Sequence, residues 1–156
     1  MLIRRAEEMD IGAMARIAEL CREKLEVWQP IFWRRASGSA ELSESFFRFL
    51  MQSDDNCALV NEDYVGVDGF LIATIVDASP VFNPGGKICL IDDFAVAEDG
   101  LWGTVGEALV ERASKWAKSK GATQTVVIAP LAYEAKLSFL KNRDMTPAAS
   151  WWVKQL

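Results

Sequence analysis

IDDFAVAEDGLWGTVGEALVERASKWAKSKG, residues 91–121, is the stretch that decides how this chain folds. It continues an apolar run, Ile88–Val96, which stops at an acidic turn, Ala97–Gly100. A glycine-bearing loop, Leu101-Trp102-Gly103-Thr104-Val105-Gly106, then opens a helix whose apolar residues Val105, Ala108, Leu109, Ala113, Trp116 and Ala117 recur at helical spacing. Glu107 and Glu111 near its start and Lys115, Lys118 and Lys120 near its end suit the helix dipole. Gly121 is the predicted C-terminal stop. Strand, glycine loop and helix N-terminus, in that order, turn backbone N–H groups toward an anion.

On the N-terminal side, Leu2–Arg5 is predicted as an edge strand, Asp10 as an N-cap, and Ile11 to about Lys24 as a first helix with Met14, Ile17, Ala18 and Cys21 on its apolar face. An aromatic connection, Val27–Trp33, runs into Arg34, Arg35 and a flexible Ser37-Gly38-Ser39. A second helix, Ala40–Gln52, has Leu42, Phe46, Phe49 and Leu50 on one face and ends at Ser53–Asn56. The period then changes to that of strands at Cys57–Val60 and Val67–Val76, separated by the turn Asn61–Val65. The second of these is apolar nearly throughout from Phe70, as expected when both faces are covered, and Gly69 marks a bulge or bend. Asp77–Gly86, with two prolines and two glycines, is a loop. On the C-terminal side come a strand at Thr125–Ile128, a helix at Ala132–Asn142 and a last strand at Ala148–Val153. The order β-α-α-β-β-β-α-β-α-β implies one α/β domain over residues 1–156, with a sheet of mixed direction.

Composition narrows the function. A formal charge of −5 with no basic run argues against a nucleic-acid binder. The chain has no histidine, which excludes a Ser-His-Asp triad, a Cys-His pair and histidine metal sites. Cys21, Cys57 and Cys89 are odd in number and lie in apolar segments, so free buried thiols in a reducing cytosol are expected. No signal peptide and no run long enough to span a membrane is visible.

The strand, loop and helix resemble the acyl-CoA-binding motif of the GNAT superfamily of N-acyltransferases, and the order of elements resembles that fold over the whole chain. The family's loop reads Arg/Gln-x-x-Gly-x-Gly/Ala. Leu101 falls at its Arg/Gln, Thr104 at its first Gly and Gly106 at its last position, with Gly103 one residue early. The resemblance implies that amides of residues Leu101, Trp102, Gly103, Thr104, Val105 and Gly106 hold the pyrophosphate of acetyl-CoA. It also implies that backbone in Phe94-Ala95-Val96 meets the acyl carbonyl. Between Asp92 and Glu111 there are six carboxylates and no Lys or Arg, so the anion site rests on amides and the dipole unless Arg112, Lys136 or Lys141 lies near.

N-acyl transfer needs a polarised carbonyl, a deprotonated amine and a protonated leaving thiolate. Asp92 and Asp93 are the candidate bases, with strand alternation sending them to opposite faces and the family resemblance favouring Asp92; the competing role for both is structural. Glu62 at the hairpin turn is a weaker candidate. Many family members carry a tyrosine as acid in the last helix. It falls here at Leu140, while Tyr133 on the first turn is either a replacement or a surface-packed ring. Trp28, Phe32 and Trp33 form either an acceptor-side wall suited to a cation or ordinary helix packing. Trp151 and Trp152 alternate on the last predicted strand, consistent with a homodimer contact.

The expected function is transfer of an acetyl group from acetyl-CoA to a primary amine of a small molecule or peptide, directly in a ternary complex. Two alternatives stand beside it: a catalytically silent binding or dimerisation module of the same fold, and an unrelated α/β domain binding phosphate at Gly103–Gly106. The last is preferred if the sheet is fully parallel.

Overall fold

Five strands lie side by side in sequence order in the computed structural model, which describes Met1–Leu156: β1 (Leu2–Arg5), β2 (Asn56–Glu62), β3 (Val67–Val76), β4 (Lys87–Val96) and β5 (Ala122–Val127). The first three junctions are antiparallel and only β4–β5 is parallel, so the sheet is mixed and the fully parallel alternative falls away. Helices α1 (Ile11–Trp28) and α2 (Ser39–Leu50) cover one face, and α3 (Glu107–Ser119) with α4 (Glu134–Lys141) covers the other.

The period of two sorts the core between these layers. From β2 and β3, Cys57, Leu59, Leu71, Ala73 and Ile75 face α3 and meet Leu109 and Ala113. Ala58, Val60, Phe70 and Ile72 alternate to the other face and meet Ile11, Met14 and Phe47. Both faces of the middle strands are therefore apolar, which is why Phe70–Val76 shows no polar alternation.

Asp10 stands just before α1 as predicted, but its side chain makes no capping hydrogen bond to that helix, because its carboxylate is engaged on the other side. It is 4% exposed, accepts the Glu7 N–H, and forms a two-pronged ion pair with Arg4 at 2.6 and 2.9 Å, tying β1 to the entry of α1. Gly121 has φ of 86° and ends α3 as expected. The irregularity expected at Gly69 lies beside it, where the β2–β3 register skips Asp68. Gly69 itself is small for a packing reason: a Cβ there would sit 2.6 Å from Val105 Cγ1, in the turn that leads into α3. Gly69→Ala is expected to lower stability by about 1–3 kcal/mol through overpacking. The check is a lower urea midpoint at unchanged slope.

The last strand, Ala148–Val153, does not form. The chain leaves α4 through a left-handed Asp144 (φ 57°), stabilised by a Met145 N–H to Leu140 C=O bond. Pro147 offers no N–H, and residues 146–156 make no backbone hydrogen bond. Trp151 instead leans edge-on against Phe32 at 5.7 Å, leaving β5 as the edge of the sheet and Trp152 91% exposed. No helix is long and apolar enough to cross a membrane.

Candidate functional site

The site begins where β4 and β5 separate. They pair from Lys87 opposite Ala122 to Ile91 opposite Val127, and the last bond is Ile128 N–H to Ile91 C=O at 3.0 Å. Pro130 prevents β5 from continuing as a ladder. Asp92–Val96 therefore runs on with β3 on one side and, on the other, a wedge that no strand occupies.

A bulge sits at the mouth of this wedge. Ile91 faces Ala73 and Phe94 faces Leu71, so Asp92 and Asp93 together oppose the single residue Ile72. The extra residue resets the alternation. Phe94 and Val96 join Cys89 and Ile91 on the α3 face, which a regular strand would forbid.

Asp92 is exposed on the bulge. Asp93 is half-buried toward α1, with Arg22 of that helix 3.9 Å away. Burial pushes the Asp93 carboxyl up to about 6; neighbouring Asp92 adds to this, and Arg22 and Lys136 oppose it. Arg22 is held by Glu19 at 2.8 Å and Ser43 Oγ at 2.5 Å, so its guanidinium is fixed beside the carboxylate.

Lys136 fills the wedge. It projects from α4, is 4% exposed, and donates from Nζ to Phe94 C=O at 3.0 Å, a carbonyl the departure of β5 leaves without a strand partner. Nζ also lies over the rings of Phe94 (5.2 Å) and Trp102 (5.7 Å). Burial lowers its proton affinity to a pKa of about 8 against the pull of Cys21, Asp92 and Asp93.

The glycine loop forms a π turn, Trp102–Gly106, that leads directly into α3. Between this turn and α4 lies a groove of about 430 Å³, lined by Trp102, Gly103, Glu107, Ser138, Asn142 and Arg143 among others. A side chain at Gly103 would meet nothing, whereas one at Gly106 would come within 2.9 Å of the Trp102 ring. Gly106 is thus the position where the turn demands a small residue, and Thr104 is tolerated because its side chain is exposed. No cation stands at Leu101, but Arg143, two residues beyond α4, lines the groove and pairs with Glu107. Arg112 and Lys141 are exposed and outside the groove lining.

Tyr133 precedes α4 and donates to Asp99 Oδ1 at 2.9 Å, while burial and that bond push its hydroxyl well above the usual phenol range. Leu140 is buried in the α3-side core. Phe32 and Trp33, in edge-to-face contact at 4.6 Å, line a second pocket of about 230 Å³ with Arg22, Arg34, Arg35 and Ser39. Trp28 ends α1, half-exposed and outside that pocket. Glu62 is bonded to Arg4 at 2.7 Å, on the far side of β2 from the wedge.

Arg22 and Arg143 do not stand out in the sequence, and Lys136 is expected only as one of three cations that the fold could bring near the phosphates. The legible signal for Lys136 was its place among Ala132, Ala135, Phe139 and Leu140 on the apolar stripe of α4, where a lysine is anomalous. The signal for the bulge was the phase jump from Cys89 and Ile91 to Phe94 and Val96 across two aspartates.

No family model and no curated protein matches the chain in sequence. Solved structures do. The tetramutant of the BH1408 protein from Bacillus halodurans superposes with a TM-score of 0.86 at 19% identity, covering 100% of both chains. A protein from Clostridium acetobutylicum described as a predicted acetyltransferase with acetyl-CoA gives 0.71 at 13% identity, covering 99% of this chain and 95% of its own. Glucosamine-6-phosphate N-acetyltransferase from Arabidopsis thaliana gives 0.68 at 19% identity, covering 99% and 97%. With the three-strand meander, the bulged and splayed β4, and the loop-to-helix groove beside it, the chain has the fold of the GNAT acetyltransferases.

Proposed function

We propose that this chain is an N-acetyltransferase that moves an acetyl group from acetyl-CoA to a primary amine of a small molecule or peptide. The observation that carries the reading is the wedge. One strand edge is stripped of its partner, a carboxylate with raised proton affinity stands at its mouth, and a groove with a helix N-terminus and an arginine continues from it. The residues present suit acetyl-CoA. Amides of Gly103–Gly106 and the Arg143 guanidinium offer donors to a pyrophosphate, and those backbone groups of Phe94-Ala95-Val96 that neither β3 nor Lys136 engages offer hydrogen bonds to an extended amide chain.

The acetyl thioester, when bound, supplies the electrophile; the rest of the chemistry falls to the side chains. Asp93 takes the proton from the amine, and Arg22, 3.9 Å away, stabilises its ionised form electrostatically. Asp92, exposed on the bulge, is the weaker base, and Tyr133 has its proton engaged by Asp99. Phe32 and Trp33 form an aromatic part of the acceptor side, in a pocket they line together with Arg34.

A silent binding module of the same fold is the second reading, favoured by Leu101 and Thr104 in the loop and by the Glu107 carboxylate that shares Arg143. Calorimetric titration with acetyl-CoA at moderate salt, followed by an amine panel, separates the two. Micromolar binding with turnover supports the enzyme; absence of binding up to millimolar supports the module. Arg143→Ala is expected to weaken acetyl-CoA binding about tenfold, the loss of one charge-assisted contact. An unchanged affinity removes Arg143 from the anion site.

A further inference from the structure

The wedge contains an ammonium group that the fold alone does not require. Lys136 is as buried as the core leucines around it and forms no ion pair. It spends one N–H on Phe94 C=O, and its other two have no protein acceptor. Burying a charged amine without a counter-ion is strongly unfavourable, and a methionine of similar length would fill the same space without that penalty. The partially satisfied ammonium lies over the rings of Phe94 and Trp102, and Trp102 lines the adjoining groove. An acceptor that arrives with a ligand, carrying negative charge on a polarisable atom, would complete its bonding.

We infer that Lys136 is the general acid of the transfer reaction, donating its Nζ proton to the sulfur of the departing CoA thiolate. This rests on the acetyl-CoA reading above and adds a residue to it. The step balances within the site. The amine nitrogen forms the C–N bond to the acetyl carbon, and the C–S bond breaks. The sulfur takes the proton of Lys136, and the proton shed by the amine goes to Asp93. Return of that proton from Asp93 to the neutral Lys136 restores the starting state, with the amide and CoA thiol as products. Lys136 lies one turn before Leu140, on the same face of α4, so the last helix still delivers the acid although it lacks a tyrosine there.

The groups facing Lys136 suit this exchange. Asp92 and Asp93 of β4 and the Cys21 thiol of α1 are the titratable neighbours. Burial pushes Cys21 up, so its thiol stays protonated and does not serve as a fixed counter-ion. The lowered affinity of Lys136 places its proton within easy reach of a thiolate near neutral pH.

The test uses the full chain and CoA itself, reading the ultraviolet absorbance of the bound thiolate against pH. An ammonium beside the sulfur is expected to move the bound thiol's midpoint down by about 1–3 pH units in the native protein. In Lys136→Met the midpoint should return to that of free CoA. Lys136→Gln, which keeps a donor for Phe94 C=O but no charge, should behave like the methionine variant and serves if that variant does not fold. In turnover, both variants are expected to lose about 10²-fold with acetyl-CoA, and to recover most of it with an acetyl aryl thioester, whose leaving group needs no proton. CoA that binds with the same thiol midpoint in native and variant proteins overturns the role of Lys136 and leaves the acetyl-CoA reading standing. Native protein that binds no CoA overturns both.

Discussion

Asp93→Asn is expected to reduce kcat/KM for acetyl transfer by about 10³-fold, within the usual range for loss of a general base, while making the folded protein more stable at pH 7. Both effects come from one cause. The Asp93 carboxyl is pushed up to about 6 chiefly by burial, so the folded state holds its proton more tightly than the unfolded chain does. Above about pH 6 the native protein therefore carries the full unfavourable contribution of ionising this group, and the contribution fades as pH falls toward the ordinary carboxylate value near 4. Asparagine removes it at every pH, for a gain on the order of 1–3 kcal/mol at pH 7, reduced by loss of the Arg22 contact. The native enzyme should also show an acidic limb in kcat/KM with a midpoint near 6, absent from the variant. The measurements are steady-state rates from pH 5 to pH 8 and urea midpoints at pH 5 and pH 7. Asp92→Asn, altering an exposed group, is expected to change turnover less than threefold. If Asp92→Asn abolishes turnover and Asp93→Asn does not, the base is the other member of the pair, and the half-buried carboxylate is structural.

The choice between these two aspartates shows where sequence reading stopped. Alternation put them on opposite faces, which is right for a regular strand and fails at a bulge. Val67–Val76 was legible to the residue because both its faces are apolar and turns bound it on each side. The first helix was legible in its stripe but not in its end. Val27 and Trp28 continue α1, with Val27 87% exposed, so no buried face marked them as helical. The absent last strand is the opposite case. Ala148–Val153 has the composition of a strand, but pairing needs a partner edge within reach, and the Asp144 turn carries the segment to Phe32 instead. Arg143 and Arg22 were invisible for a different reason. Each acts across more than twenty residues of sequence, on Glu107 and on Asp93, and no local pattern encodes a partner at that distance. Only the lysine on the apolar stripe of α4 was a local anomaly, and it marks the most unusual group in the site.

Trp102→Ala is expected to cost about 3–5 kcal/mol of stability, the magnitude for removing a large buried aromatic, and to abolish measurable acetyl-CoA binding with it. Trp102 is 3% exposed and stands at the junction of the wedge, the groove and the core. Its ring meets Phe94 edge-on at 4.9 Å, Phe139 at 5.5 Å and Tyr133 at 5.8 Å, and it carries the Lys136 ammonium 5.7 Å above its face. Each aromatic contact adds about 0.5–1.5 kcal/mol beyond area burial, so its removal loosens three neighbours and uncovers a charge. The π turn depends on it as well, since Gly106 is small to accommodate the Trp102 ring. The indole N–H contributes little, because the buried Trp102 Nε1 makes no well-formed hydrogen bond and only approaches the Tyr133 hydroxyl. Trp102→Phe, which keeps a ring and discards an unbonded donor, is therefore expected to cost only about 1 kcal/mol and to retain binding. Urea unfolding of the three proteins and titration with acetyl-CoA provide the comparison. If alanine costs less than about 1 kcal/mol, the cluster does not act as a unit. If phenylalanine proves as damaging as alanine, the indole nitrogen, rather than the ring, is what the site requires.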